Sequence, residues 1–374
     1  VKSILFDVDG VFLSEERCFD VSALTVDELL HSENYLGLQP IKQYSDLTDD
    51  QIQQIRNEIF QNDKILNHFK SLGLNSNWDM LFIVFSIHFI HILKELSKGD
   101  REAVLSSQHF TVDSIAFIKQ HLNQQPSLSP LNVKHFLSTT THGKTQIYES
   151  LKQYAQQELE IVQDDMFNLK STLWHFTQEV YQEWYLGQSL YEEIEQKKPR
   201  STFKKGFIFQ EILLRPEAEI QQLLHDLNAA GYQLAVATGR PRTETIVPFK
   251  SFSLLQWFDQ SHIVTASEVL TAESQYPSSA PLGKPNPFSY IATLNGNHRE
   301  HYSEYIKNQN HIVCGTDVYI VGDSLADLLC AKKIGATFIG TLTGLSGKSA
   351  RLELEQHGAD FIINHVGEIR SILL

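Results

Sequence analysis

The chain has 374 residues and a formal net charge of −14, enough length for two domains that each bury a core of their own. The acidity is uneven, since residues 1–200 carry 28 acidic against 17 basic side chains. Such a chain has no long-range field to draw in nucleic acid or an anionic membrane surface, and neither is expected as a partner.

Three scattered cysteines, Cys18, Cys314 and Cys330, form no CxxC pair, which points to a reducing, cytoplasmic setting rather than a disulfide scaffold. The chain opens directly on a strand pattern, so no signal peptide is expected ahead of it. The longest apolar stretch, Met80–Leu93, is interrupted by Ser86, His88 and His91. It is shorter than the ~20 residues a membrane span needs, and reads as a buried helix.

In chain order, the first element is the apolar run Ile4-Leu5-Phe6, which passes straight into Asp7-Val8-Asp9-Gly10-Val11. Carboxylates spaced i, i+2 at a strand end start on the same side. One can attack an electrophile while its neighbour moves a proton. Alone, the pattern also fits an ordinary acidic strand-to-turn exit.

From about residue 14 to 204 the pattern is helical almost throughout. Asp50–Leu72, Asn77–Leu96, Thr145–Asp165 and Ser171–Gln196 carry apolar residues at three- and four-residue spacing. Asn77 is placed to cap the second of these, and Leu186-Gly187 to interrupt the last. The span between Asp9 and Thr238 far exceeds one strand–helix–strand connection, so residues 14–204 are expected to form a separate inserted body.

After the insert, helix and strand alternate. Ala218–Ala230 reads as a helix closed by Gly231, Leu234–Thr238 and His262–Thr265 as strands, and Pro287–Leu294 as a helix. Val318–Val321, Thr337–Ile339 and Phe361–Ile363 read as strands, separated by helical Asp327–Ile334 and Ser349–His357. This alternation implies a parallel sheet covered on both faces, with ligands beyond the carboxyl ends of its strands. Polar residues 295–316 read as a surface excursion.

Three later segments complete a pattern with the first. Gln233–Arg240 ends an apolar run in Thr238-Gly239-Arg240. Gly283-Lys284-Pro285 follows, and then Val318–Val321 runs into Gly322-Asp323-Ser324-Leu325-Ala326-Asp327. In this order the chain resembles the haloacid dehalogenase (HAD) superfamily of aspartate-nucleophile phosphohydrolases, whose pattern is DxDG, then Ser or Thr after a strand, then lysine, then GDxxxD. The resemblance covers residues 1–13 and about 205–374. It implies an α/β fold with a Rossmann-like, doubly wound parallel-sheet core at 1–13 and 205–374. Residues 14–204 would then be an all-helical cap that closes over the active-site edge.

The resemblance also implies roles. Asp7 matches the nucleophile and Asp9 the general acid/base, which carbon–halogen cleavage does not require. Asp323, with Asp7 and the Asp9 carbonyl, would hold one Mg²⁺. Asp327 would meet the metal through water, hold Lys284, or cap its own helix. Lys284 would hold the transferring phosphoryl group, unless it is a solvated lysine in a turn. Thr238 would bond a phosphate oxygen or cap the next helix, and Gly239 would let backbone N–H groups approach. Arg240 either faces the substrate or lies exposed on the surface.

Other signals are discounted. Gly143-Lys144-Thr145 and Gly347-Lys348-Ser349 lack the earlier glycine of a phosphate-binding loop. His88 and His91, one turn apart, could pair on a metal but read rather as hydrogen-bonded core or interface histidines. Lys197, Lys198, Arg200, Lys204 and Lys205 read as a solvated hinge, with a basic lip for an anionic substrate as the rival. Trp174, Phe176, Tyr181, Trp184 and Tyr185 read mostly as cap core.

The expectation is therefore a Mg²⁺-dependent phosphatase acting on a small phosphorylated metabolite. The alternatives are a phosphomutase, a phosphonatase, for which no lysine declares itself, and a catalytically idle binding module. The pattern is silent on oligomeric state.

Overall fold

The computed structural model describes residues 1–307 and 317–374, so Cys314 and the end of the polar 295–316 stretch lie outside the described residues. The chain divides into two compact units, Val1–Glu15 with Ile208–Leu374, and Glu16–Phe207. The sequence reading sets these joins at 13/14 and 204/205.

The first unit is built on six parallel strands: β1 (Lys2–Phe6), β2 (Tyr232–Ala237), β3 (Ile263–Val264), β4 (Val318–Gly322), β5 (Thr337–Thr341) and β6 (Phe361–Ile363). Their order is β3-β2-β1-β4-β5-β6. Phe6 of β1 stands beside Val236 of β2 and Val321 of β4. The chain winds outward from β1 to β3, then crosses to β4 and winds the other way. The change of direction therefore falls between β1 and β4, where open parallel sheets place their ligands.

Alternate residues of the strands feed two cores. Ile4, Phe6, Leu234 and Val236 pack with Leu223, Leu227 and Phe249 on one face. Leu5, Ala235 and Ala237 pack with Phe288, Tyr290 and Leu328 on the other. Burial on both faces is what makes these strands near-continuous apolar runs. The helices Glu217–Ala229, Phe288–Asn295, Leu325–Ile334 and Ala350–Gln356 follow the sequence reading within two residues. Two further helices, Arg242–Ser251 and Ala266–Gln275, go beyond it, since their polar content hides the apolar period. Part of the expected excursion is also helical, Tyr302–Lys307.

The second unit contains helices and no strand. Asn77–Leu93 is its centre, with Met80–Ile90 buried on every side. Its cap is Ser76 and not Asn77, the Ser76 hydroxyl accepting from Asp79 N. The expected helix 50–72 is two, Asp49–Phe60 and Lys64–Ser71. Gln61, Asn62 and Asp63 take φ of 48°, 53° and 67° between them, a left-handed conformation that Asn and Asp tolerate better than most residues. Four helices were not delineated from sequence: Glu16–His31, Lys98–Leu105, Val112–His121 and Pro130–Thr139.

Gly187 does break the last long helix, Thr172–Glu195, with φ 78° and ψ 170°. The returning segment crosses there so closely that a Cβ on Gly187 would lie 2.7 Å from the Lys205 carbonyl oxygen.

Lys204 corrects the reading of a solvated hinge. Its side chain is 1% exposed, 2.7 Å from Glu28 Oε1, and its ammonium lies over the Trp184 ring. The local run of basic residues gave no sign of a carboxylate 176 positions away. His88 is buried as expected, but its Nδ1 has no hydrogen-bond partner. Burial, then His91 and His31, push its pKa down to about 4, so the ring is neutral. All five members of the aromatic set are buried. Lys144, in one of the discounted glycine–lysine motifs, pairs with buried Asp79 at 2.8 Å. No helix among the described residues is long and apolar enough to cross a membrane.

Candidate active site

Asp7 follows the last residue of β1, and its N–H donates to the Val321 carbonyl of β4 at 2.9 Å. It continues the Leu5 face of the strand, the face against which Phe288–Asn295 packs. Lys284, just ahead of that helix, reaches back with its ammonium 3.2 Å from Asp7 Oδ1 and 2.9 Å from Asp327 Oδ1. The same ammonium donates to the Ala237 carbonyl at the end of β2, at 2.8 Å.

Asp327 is fully buried. The cap of Leu325–Ile334 is Ser324, whose hydroxyl accepts from Asp327 N, so the capping alternative for Asp327 is set aside. Its carboxylate instead accepts from Tyr290 Oη at 2.7 Å and from Ser324 Oγ at 2.9 Å, and so holds Lys284 in place from one side.

Carboxylate oxygens of Asp7, Asp323 and Asp327 all lie within 4.8 Å of one another. Asp323 sits against backbone that leaves no room for side chains, since a Cβ on Gly10 (φ +80°) or Gly344 would collide with it. Thr341 and Thr343 pin this turn by donating to the Gly10 carbonyl at 2.8 and 2.6 Å.

Three carboxylates against one ammonium leave an excess of negative charge, and the protonation balance reflects it. Burial, then the Asp327 carboxylate, push the Asp7 carboxyl well above its usual range against the pull of Lys284. Burial opposes charge on Asp327 too, but Lys284 outweighs it and holds that carboxyl below its usual range. Lys284 is raised above the usual lysine range, Asp327 and Asp7 overcoming the effect of burial. A cluster of hard oxygen donors with uncompensated charge fits a small divalent cation. Asp7, Asp323 and Asp327 supply such oxygens together, and Asp327 in addition holds Lys284.

Asp9 has different partners. β1 ends at Phe6, and a turn in which Val11, Phe12 and Leu13 N all donate to the Val8 carbonyl carries Asp9 away. Its carboxylate meets the Arg240 guanidinium at 2.7 Å. Arg240 is 4% exposed and also pairs with Glu211 at 2.8 Å. It is therefore not an exposed surface residue. The desolvated guanidinium is held by carboxylates on two sides, neither of them close to it in sequence.

Thr238 is buried, and its hydroxyl accepts from Arg240 N at 3.1 Å, so it braces the turn rather than capping a helix. A Cβ on Gly239 would meet no other atom within 4 Å, which leaves that backbone open to approach.

Sequence reasoning missed Tyr290, Glu211, Glu244 and the Thr341–Thr343 pair. Only Tyr290 left a trace, six positions beyond Lys284 on the helix it introduces.

The HAD-hydrolase-like family model matches residues 281–369, the stretch that holds Lys284, Tyr290, Asp323 and Asp327. An X-ray structure from the Northeast Structural Genomics Consortium is 58% identical, with a TM-score of 0.89, over 100% of this chain and 98% of that one. Its likeness extends through the helical unit as well as the sheet. A HAD hydrolase of family IA, variant 3, from Entamoeba histolytica is 14% identical, with a TM-score of 0.40, over 99% of this chain and 95% of that one. A HAD-superfamily hydrolase of subfamily IA, variant 1, from Geobacter sulfurreducens PCA is 14% identical, with a TM-score of 0.39, over 100% and 97%. At those scores neither bears on the site. No curated protein matches the chain. The family model thus marks residues 281–369, which carry Lys284, Asp323 and Asp327 on the doubly wound parallel sheet, as HAD-hydrolase-like.

Proposed function

We propose that this hydrolase cleaves a small organic phosphate monoester in a Mg²⁺-dependent reaction with Asp7 as nucleophile. The observation that carries the reading is the convergence of Asp7, Lys284, Asp323 and Asp327 at the carboxyl ends of β1 and β4. An Asp7 carboxylate oxygen attacks phosphorus, and the bond from phosphorus to the ester oxygen breaks. Asp9 gives its proton to the departing alkoxide. Asp9 then takes a proton from water as that water attacks the aspartyl-phosphate, which releases phosphate and restores Asp7.

Lys284, fixed by Asp327, supplies a positive charge to the transferring group, and Thr238 and the Gly239 backbone line its path. Asp7 and Asp323, with the Asp9 carbonyl, would hold Mg²⁺, which orients the phosphate and screens its charge from the incoming carboxylate. Asp327 serves the ammonium and lies beside these ligands.

The test is phosphate release from p-nitrophenyl phosphate and a panel of metabolite monoesters, with Mg²⁺ or with EDTA, for wild type and Asp7→Asn. Release is expected only when Mg²⁺ and Asp7 are both present. Full turnover by Asp7→Asn would end the reading, and an isomerised sugar phosphate in place of free phosphate would make the protein a mutase.

A further inference from the structure

Arg240 makes the densest set of ionic contacts around Asp9. Its Nη2 donates to Asp9 Oδ1 at 2.7 Å, and its Nε lies 2.9 Å from Oδ1 and 3.1 Å from Oδ2. On its other edge, Nη1 donates to Glu211 Oε1 at 2.8 Å and, more weakly, to the Glu244 carbonyl at 3.4 Å. The Arg240 and Glu211 side chains are 4% and 0% exposed, whereas Asp9 is 22% exposed. The guanidinium thus has a buried edge anchored on Glu211 and a second edge presented to Asp9, which solvent reaches.

We infer that Arg240 positions Asp9 for proton transfer, with Glu211 fixing the guanidinium from behind. This rests on the acid/base role proposed above for Asp9. A planar guanidinium that contacts a carboxylate through two nitrogens fixes the plane of that carboxylate as well as its place. Asp9 gains from such support, because it stands in a turn beyond the end of β1, where an isolated bridge to Leu13 takes the place of the strand ladder. Glu211 supplies a second counter-charge that keeps the buried guanidinium in place. Proton transfer depends steeply on aim, so a misplacement of about 1 Å costs on the order of a hundredfold in rate. Lysine at this position would keep the charge but lose the two-point grip.

The readout is leaving-group dependence. A nitrophenolate departs without a proton, while a glycerol alkoxide needs one. kcat/KM would be measured on p-nitrophenyl phosphate and on glycerol 2-phosphate for wild type, Asp9→Asn, Arg240→Lys and the double variant Arg240→Met/Glu211→Met. The double variant removes both buried charges together and guards against misfolding. Arg240→Lys is expected to lower kcat/KM on glycerol 2-phosphate by about a hundredfold, and on p-nitrophenyl phosphate far less. The double variant should show the same split.

Equal losses on the two esters in both Arg240 variants, or an Arg240→Lys protein that behaves as wild type, would overturn the inference while Asp9→Asn still showed the split. An Asp9→Asn protein with no split would remove the acid role itself, and the inference with it.

Discussion

Glu244 opens the helix Arg242–Ser251 with 7% of its surface exposed, and its Oε1 has no hydrogen-bond partner. Burial pushes its carboxyl from 4.5 up to about 8, with Glu211 and Asp9 adding to the shift and Arg240 opposing it. The unfolded chain releases this proton near pH 4.5 and the folded chain only near 8. The stability it contributes is therefore complete below about pH 4.5 and is lost as pH rises through 8. Glu244→Gln should match wild type at pH 4.5 and be more stable above pH 8, by on the order of a few kcal/mol. Urea denaturation at the two pH values checks this, and an equal difference at both would refute it. Residues of this kind were illegible in the sequence. Asp7 and Asp323 announce themselves through the strand just before each, and Lys284 through the glycine and proline that flank it. Arg240 owes its role to partners 231 and 29 positions away, and nothing in Thr-Gly-Arg tells a buried guanidinium from an exposed one.

At the scale of elements, Lys204 ties the segment returning from the helical unit to two of its helices. Its ammonium is 2.7 Å from Glu28 on Glu16–His31 and 3.7 Å from Glu183 on Thr172–Glu195. Trp184 Nε1 donates to the same Glu28 oxygen at 3.1 Å. Removing one partner of a buried pair leaves an uncompensated charge, whereas removing both restores much of the loss. Lys204→Met should therefore cost about 3 kcal/mol, and Lys204→Met/Glu28→Gln should recover most of it in the same denaturation experiment. A double variant no more stable than the single one would show that packing around Lys204, rather than its charge, is what matters. The sequence conveys where elements lie better than how they meet. Apolar runs mark β1, β2, β4 and β5, because burial on both faces demands them. The order β3-β2-β1-β4-β5-β6 is set by edge pairing between runs that look alike, so no single run reveals its neighbours. The break at Gln61–Asp63 falls inside an apolar period that continues across it, and only the positive φ values mark it.

The molecule as a whole joins two units with separate cores, and the candidate metal ligands all belong to the sheet-containing one. A ligand that binds only folded protein stabilises it by RT ln(1 + [L]/Kd), about 2.7 kcal/mol at a hundred times Kd. Mg²⁺ should accordingly raise the melting temperature of the sheet unit and leave that of the helical unit where it was. The tryptophans separate the two signals. Trp78, Trp174 and Trp184 lie in the helical unit and Trp257 alone in the other. In Trp257→Phe, tryptophan fluorescence follows the helical unit, while circular dichroism follows both. Adding Mg²⁺ to that variant is expected to move a dichroism transition upward and to leave the fluorescence transition unchanged. Asp323→Asn introduced into the same protein should abolish the shift, since it removes a ligand without changing side-chain volume. A fluorescence transition that moves in step with the dichroism would mean that the units melt as one. A shift that survives Asp323→Asn would place the ion elsewhere, and with it the charge that attack by Asp7 on a phosphate requires.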